Sequence, residues 1–145
     1  MSYFKKYFSL LFITLFVPLV LNAQSTDAPE DAKAYFISPA HGETVPSTFK
    51  VQFGLTGMGI APAGHDIENT GHHHLLIDVD EMPDFSLPLP ASENLIHYGL
   101  GQTETVLTLS PGEHTLQLVL GDYAHIPHAN PVMSKKITIY VAEEE

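Results

Sequence analysis

Hydrophobic and polar residues alternate with a period of two over much of this chain, and Gly, Pro and Asn interrupt the alternation at short intervals. A period of two matches the β-strand, in which successive side chains point to opposite faces. The pattern favours an all-β fold, an immunoglobulin-like antiparallel β-sandwich of about seven strands. The predicted strands cover residues 34–38, 48–55, 72–80, 95–98, 103–109, 113–120 and 135–141.

The first 23 residues have the pattern of a secretory signal peptide. Lys5 and Lys6 precede an apolar run over residues 8–21, and the small residue Ala23 stands at the expected cleavage position. The run is shorter than the ~20 residues of a spanning helix, and Pro18 interrupts it. We therefore expect an exported protein, periplasmic or extracellular, with no membrane anchor after cleavage.

The remaining residues predict one domain. Residues 24–32 are polar and are expected to form a flexible lead-in, and residues 33–142 are expected to form a single β-sandwich domain. That length is sufficient to bury a core. The chain contains no cysteine, which excludes disulfides and thiolate ligands.

The charge of the chain excludes one large class of partner. After removal of the signal peptide, four lysines stand against seventeen acidic residues, and the chain has no arginine. Nucleic acids are bound through Lys and Arg, so nucleic acid is not an expected partner. Cations are the expected charged partners.

Three consecutive histidines open the third predicted strand. Strand alternation places His72 and His74 on one face together with Asp78, and places His73 on the other face with Leu75. Two imidazoles at positions i and i+2 can bind the same ion, and neutral imidazole is a common ligand of copper and zinc.

Strand order predicts that further histidines join them. The connections after the second, fourth and sixth strands emerge at the same end of a sandwich, and seven of the nine histidines fall there. His41 and His114 fall at the opposite end, about 20 Å away. The predicted metal ligands are His72, His74, His97, His125 and His128.

Other residue types complete the predicted site. The carboxylates of Asp66, Asp78 and Asp122 are candidates to orient the imidazoles, and Met58 and Met133 are candidate soft ligands. With nitrogen donors and no thiolate, copper is placed ahead of zinc by the order of divalent affinities.

The other histidines have simpler interpretations. His73 and His114 are expected to be buried and bonded to backbone carbonyls, because buried polar groups need partners. His41 and His65 lie in loops with Gly and Pro and are expected to be solvated.

Several motifs in the same order resemble a known family. The motifs lie at residues 36–39, 57–64, 70–78, 101–104, 111–116 and 125–128, and the most distinctive of them contains His72-His73-His74. Together they resemble the exported bacterial family catalogued as domain of unknown function 4399, over residues 36–141. The resemblance implies an exported β domain and no particular activity.

Two other classes of function stay open beside metal binding. One is a non-catalytic envelope module that is structural or binds an envelope protein, with its histidines in a hydrogen-bonded network. The other is a copper-dependent redox enzyme loosely like the copper-zinc superoxide dismutases, which rests on fold analogy alone.

Overall fold

The computed structural model describes residues 25–143, so the predicted signal peptide and Gln24 lie outside the described residues. The described part of the chain forms nine strands, and all seven predicted strands are among them. The two additional strands, β2 and β4, have two residues each and are too short to give a periodic pattern. The strands are β1 (Lys33–Ser38), β2 (Thr44–Val45), β3 (Thr48–Thr56), β4 (Gly59–Ile60), β5 (Thr70–Ile77), β6 (Leu95–His97), β7 (Glu104–Thr108), β8 (Gly112–Gly121) and β9 (Ile137–Val141).

These strands form two sheets. One has the order β1-β3-β7, and the other has the order β2-β9-β8-β5-β4, with β6 also paired to β5. Without the short strands, these orders correspond to the A-B-E and G-F-C strands of an immunoglobulin-like sandwich. The predicted fold class is confirmed.

Apolar side chains from both sheets fill the space between them. Val51 and Phe53 of β3 belong to the same buried cluster as Leu75 of β5 and Leu118 of β8. This cluster is the main core, and its burial of aliphatic and aromatic surface is the chief stabilising term of the fold.

Strand β5 is buried on its outer face as well. Residues 71–77 are all buried, which differs from the half-exposed strand that simple alternation predicts. On the outer face, Leu76 packs with Leu89, Leu95 and Val119 in a second, smaller apolar cluster. The Pro-rich connection between β5 and β6 supplies part of that cover, so the histidines of β5 do not open onto solvent.

Strand β5 ends three residues earlier than predicted. Asp78 has a left-handed backbone with φ of 54°, which breaks the alternation of faces. Its carboxylate accepts hydrogen bonds from the Thr115 amide and the His114 ring, each at 2.7 Å. The prediction that Asp78 orients the metal-binding imidazoles is therefore wrong.

His114 at this end of the sandwich is partly buried and held between two acceptors. Nδ1 donates to Asp78, and Nε2 donates to the Ser110 carbonyl at 2.8 Å, as expected for a histidine bonded to a backbone carbonyl. Burial alone lowers the pKa of His114, but these bonds outweigh it and the net shift is upward.

We expect His114→Ala to destabilise the fold in a pH-dependent way. A raised pKa in the folded state gives stability that is fully present below pH ~6.5 and is lost as the pH rises through the folded value. The expected loss is about 1–2 kcal/mol at pH 6 and less at pH 9. Urea denaturation at both pH values checks this, and an equal loss at both would contradict it.

The segment preceding β1, expected to be a flexible lead-in, contacts the domain. The Thr26 carbonyl accepts a hydrogen bond from the Ala129 amide at 2.9 Å, and Ala28 and Ala32 pack against the main core. Within residues 25–143, no helix has the length and apolar character that crossing a membrane requires.

Candidate metal centre

Strand β5 supplies two histidines to the outer face of the six-stranded sheet. His72 and His74 point to the same side as Leu76, and both are at most 1% exposed. The centroids of their rings are 4.8 Å apart. The spacing of i and i+2 on a hydrogen-bonded strand thus fixes two imidazoles side by side.

Two further histidines come from neighbouring elements. His97 lies on β6 directly opposite His74, and His125 lies in the loop after β8. One ring nitrogen from each of the four can be chosen so that all lie within 4.8 Å of one another. We call His72, His74, His97 and His125 the histidine cluster.

The cluster is compact at the level of the rings. Centroids of different pairs are 4.5–6.0 Å apart, the closest pair being His97 and His125. His72 Nε2 and His125 Nδ1 are 3.1 Å apart, a hydrogen-bond distance whose donor depends on the tautomer. Tetrahedral coordination with zinc–nitrogen bonds of about 2.0–2.1 Å requires nitrogens about 3.4 Å apart, so modest side-chain movement would close the cluster on an ion.

The loop after β8 holds His125 in an uncommon backbone conformation. Its φ is 67°, in the left-handed region that few non-glycine residues adopt. Asp122 stabilises this turn: its Oδ1 accepts from the amides of Ala124 and Ile126 at 2.8 and 3.0 Å, and its carbonyl accepts from the His125 amide. The His125 carbonyl accepts from the Leu89 amide at 2.8 Å, which ties the loop to the Pro-rich cover.

Two glycines make room for the imidazoles. A Cβ built on Gly121 would lie 2.6 Å from Cε1 of His74. A Cβ built on Gly99 would collide with Cε1 and Nε2 of His97. Neither residue is among the glycines with positive φ, so they are needed for space rather than for backbone conformation.

We expect Gly99→Ala to move the His97 ring and weaken metal binding by about tenfold or more, the scale of effects on groups that position ligands. Its backbone suits alanine, so the fold should persist. Copper titration and circular dichroism of this variant check both parts. Gly59→Ala, whose added Cβ would meet only the Thr70 methyl and the Asn69 carbonyl within 4 Å, serves as the control. Wild-type affinity in Gly99→Ala would contradict the expectation.

Burial keeps three imidazoles of the cluster, those of His72, His74 and His97, neutral near pH 7. Desolvation, followed by the charges of neighbouring histidines, lowers the pKa of His72 to about 4 and that of His74 to about 3. The same causes lower the pKa of His97. Neutral imidazole is the form that binds a metal, so these three rings need to release almost no proton before binding.

Most of the buried ring nitrogens lack partners among the described residues. His72 Nδ1 and His97 Nε2 have no hydrogen-bond partner. Neither ring nitrogen of His74 makes a hydrogen bond of good geometry. A buried polar atom without a partner costs about 1–3 kcal/mol. Coordination to a metal ion would satisfy such atoms, so the donor set fits a nitrogen-binding ion.

Four of the five predicted ligands thus lie together, and His128 does not join their group. Nδ1 of His128 is 2.8 Å from the Thr26 hydroxyl, and its Nε2 is buried without a partner. The ring is close enough to His72 for its charge to act there. His128 is therefore a neighbour of the cluster, held by a residue outside the predicted domain.

The predicted supporting residues have other roles. The described hydrogen bonds of the Asp122 carboxylate go to backbone amides and not to an imidazole, and the side chain of Asp66 is exposed. Met58 packs against the main core and Met133 against the second apolar cluster. None of these side chains makes a described hydrogen bond to the four rings.

His73 faces the main core, as alternation predicts. Its ring lies 5.1 Å from that of Phe53, and burial lowers its pKa to about 4. The expected bond to a backbone carbonyl is wrong, because neither ring nitrogen has a partner among the described residues. Sequence reasoning also missed Gly99 and Gly121, whose only available signal was their position beside histidine-bearing segments. It missed Thr26 as well, and no local pattern indicates the contact of Thr26 with His128.

Comparison with known proteins identifies the family. The family model described as Domain of unknown function (DUF4399) matches residues 51–142, more than half of the chain. The chain belongs to this family. No curated protein and no solved structure is significantly similar to it.

The matched part of this DUF4399 chain begins inside β3 and ends just after β9. It contains the whole histidine cluster, together with Gly99, Gly121 and Asp122. Strand β1 and Thr26 precede the match. The family resemblance is thus confirmed from residue 51 onward, and export stays a prediction.

Proposed function

We propose that this DUF4399 domain binds one transition-metal ion through His72, His74, His97 and His125. The observation that carries the proposal is the convergence of four ring nitrogens within 4.8 Å of one another at a largely buried position. Four imidazole nitrogen donors match the preferences of copper and zinc.

Copper is proposed ahead of zinc. The donor set contains nitrogen alone, without thiolate or carboxylate, and Cu(II) stands above Zn(II) in affinity for such sites. The candidate soft ligands Met58 and Met133 pack in apolar clusters, so the proposed donor set contains no thioether.

The site also has a route for the ion. His97 and His125 keep part of their surface exposed, whereas His72 and His74 are fully buried. An ion can therefore reach the cluster from the side of β6 and the loop after β8. Four protein ligands would fill a tetrahedral zinc site or the equatorial plane of a Cu(II) site, which favours binding, storage or transfer of the ion over catalysis.

We further propose that the domain acts outside the cytoplasm, on the basis of the signal-peptide pattern in residues 1–23. Expression of the whole chain in a bacterial host, followed by fractionation and N-terminal sequencing, tests this. The expected mature protein begins at Gln24. Full-length protein in the cytoplasm alone would contradict export without affecting metal binding.

The decisive experiment is metal titration of protein purified without a polyhistidine tag. One equivalent of Cu(II) should bind tightly and show nitrogen hyperfine coupling in electron paramagnetic resonance, and Zn(II) should compete. His97→Asn and His125→Asn should each weaken binding. His41→Asn, at the opposite end of the sandwich, is the control and should bind as wild type does.

The competing proposal is a structural or protein-binding module with a histidine network. The contact between His72 and His125 at 3.1 Å favours it. However, that is the only ring–ring hydrogen bond among the described residues of the cluster. The other buried ring nitrogens of the cluster remain without a hydrogen-bond partner. Absence of tight copper and zinc binding, together with destabilisation by His97→Asn, would support this alternative.

A further inference from the structure

An open groove of about 490 Å³ lies between strand β1 and the segment that leads into β9. That volume is within the usual range for ligand sites. Residues 33–36 line the groove on the β1 side, and residues 133–135 and 137 line it on the other side. Ala34 and Ile137 are buried members of the main core, so the floor of the groove is apolar. None of the lining residues belongs to the histidine cluster.

The groove follows the free edge of β1. This strand pairs with β3 alone, at the end of the three-stranded sheet. Apart from that pairing, residues 33–38 make no backbone–backbone hydrogen bond among the described residues. Neighbouring side chains of a strand point to opposite faces, so a groove lined by four consecutive residues, 33–36, lies along the strand edge. The outward amides and carbonyls of β1 are therefore available to an added strand.

The groove is also a basic site in an acidic protein. The described part of the chain has four lysines and no arginine. Lys50 is paired with a carboxylate and Lys136 donates to a backbone carbonyl. Lys33 and Lys135 have no such partner among the described residues, and they line the groove, one on each side of it. No Asp or Glu lines it. The groove therefore favours a ligand that carries negative charge.

We propose that this groove binds an extended acidic peptide segment of a partner protein, which adds a strand to the free edge of β1. Main-chain hydrogen bonds supply affinity in this mode of recognition, and alternate side chains supply specificity. Apolar side chains of the peptide would contact Ala34 and Ile137, and its carboxylates would pair with Lys33 and Lys135. The irregular register after Phe36 limits the added strand to residues 33–36 of β1.

Charge argues against a second copy of this chain as the occupant. Two copies are both strongly acidic, and their net charges repel each other. For a short peptide the local charges matter more, because at an ionic strength of 0.15 M charges farther than about 8 Å apart are largely screened. The two lysines of the groove then outweigh the net charge of the domain.

The test is fluorescence anisotropy of labelled hexapeptides with the untagged protein in 0.15 M salt. The probe Glu-Val-Glu-Val-Glu-Val should bind at least about tenfold more tightly than Lys-Val-Lys-Val-Lys-Val. N-methylation of alternate amides of the acidic probe, on the edge that would meet β1, should abolish binding. In nuclear magnetic resonance spectra, the acidic probe should shift the amide signals of residues 33–36.

The four lysines provide a matched pair of double variants. Lys33→Glu combined with Lys135→Glu should weaken binding of the acidic probe by about tenfold or more, because two attractions become repulsions. Lys50→Glu combined with Lys136→Glu makes the same change in net charge outside the groove and should leave the affinity unchanged. Circular dichroism checks that both variants fold, and copper binding should be normal in both.

Three results would overturn the peptide site: no binding of the acidic probe, equal affinity for the two probes, or equal loss of affinity in the two double variants. Lys33 would then act only as a charge that protects an edge strand from unwanted pairing. The metal site does not depend on these results, since no residue of the histidine cluster lines the groove.

Discussion

Protein freed of metal with a chelator is expected to lose much of its stability between pH 6.5 and pH 5. The cause is the three consecutive buried histidines, whose pKa values burial lowers to about 4, 4 and 3 for His72, His73 and His74. The unfolded chain protonates these rings near pH 6.5, whereas the folded chain does not. Below pH 6.5 the unfolded state therefore binds more protons, so stability falls as the pH falls.

The size of this effect is large for a small domain. At pH 5, each buried imidazole costs about 2 kcal/mol of unfolding free energy, because 1.5 pH units lie between that pH and the unfolded pKa. Small domains have about 5–15 kcal/mol in total. We expect the loss to continue until the pH reaches the folded values and then to level off.

Chemical denaturation followed by circular dichroism from pH 7.5 to pH 4.5 measures this loss. His73→Leu isolates the part that does not involve the cluster, because His73 faces the main core beside Phe53. Between pH 7.5 and pH 5, the unfolding free energy of this variant should fall by about 2 kcal/mol less than that of wild type. The variant should bind copper as wild type does. A stability that does not change with pH over this range would show that the rings are hydrated or paired.

The second large expected effect is stabilisation by metal. Free copper at one hundred times its dissociation constant should add about 2.7 kcal/mol to the unfolding free energy, provided that the unfolded chain binds little. For a domain of this size, that corresponds to a rise in Tm of roughly 10 °C. Differential scanning calorimetry with and without copper at pH 7.5 measures the shift.

His74→Leu is the variant that distinguishes metal binding from a structural network. It removes a buried ring whose nitrogens lack good partners and adds an aliphatic side chain beside the apolar cluster of Leu76 and Val119. We expect the metal-free variant to be at least as stable as wild type and to show no shift with copper. His65→Asn, with an exposed ring in the same end of the sandwich, should keep the full shift. Destabilised His74→Leu with a normal copper response would contradict the metal site.

The strands and the approximate position of the cluster could be predicted from the sequence because both depend on simple geometry. Alternation identified the seven longer strands. The order of antiparallel strands then placed the histidines of β5, β6 and the loop after β8 at one end of the sandwich, where the structure brings four of them together.

The errors came from features that alternation does not encode. A left-handed residue at Asp78 ended β5 early and turned its carboxylate toward His114. Alternation assigns residues to the two faces of β5 but does not show that a Pro-rich connection of irregular structure covers part of the outer face. His128 was separated from the cluster by a bond to Thr26, a residue distant in sequence whose contact no local pattern indicates.

The four donors differ in how firmly the backbone holds them. His72 and His74 belong to a central strand that is hydrogen-bonded on both sides, whereas His97 ends a three-residue strand and His125 belongs to a loop. Exchange of an ion at the proposed site would therefore require only a local opening of the loop and of the short strand, at far lower free energy than global unfolding. The rate of ion exchange and the thermal stability of the domain could then evolve independently, the first through residues 122–131 and the second through the main core.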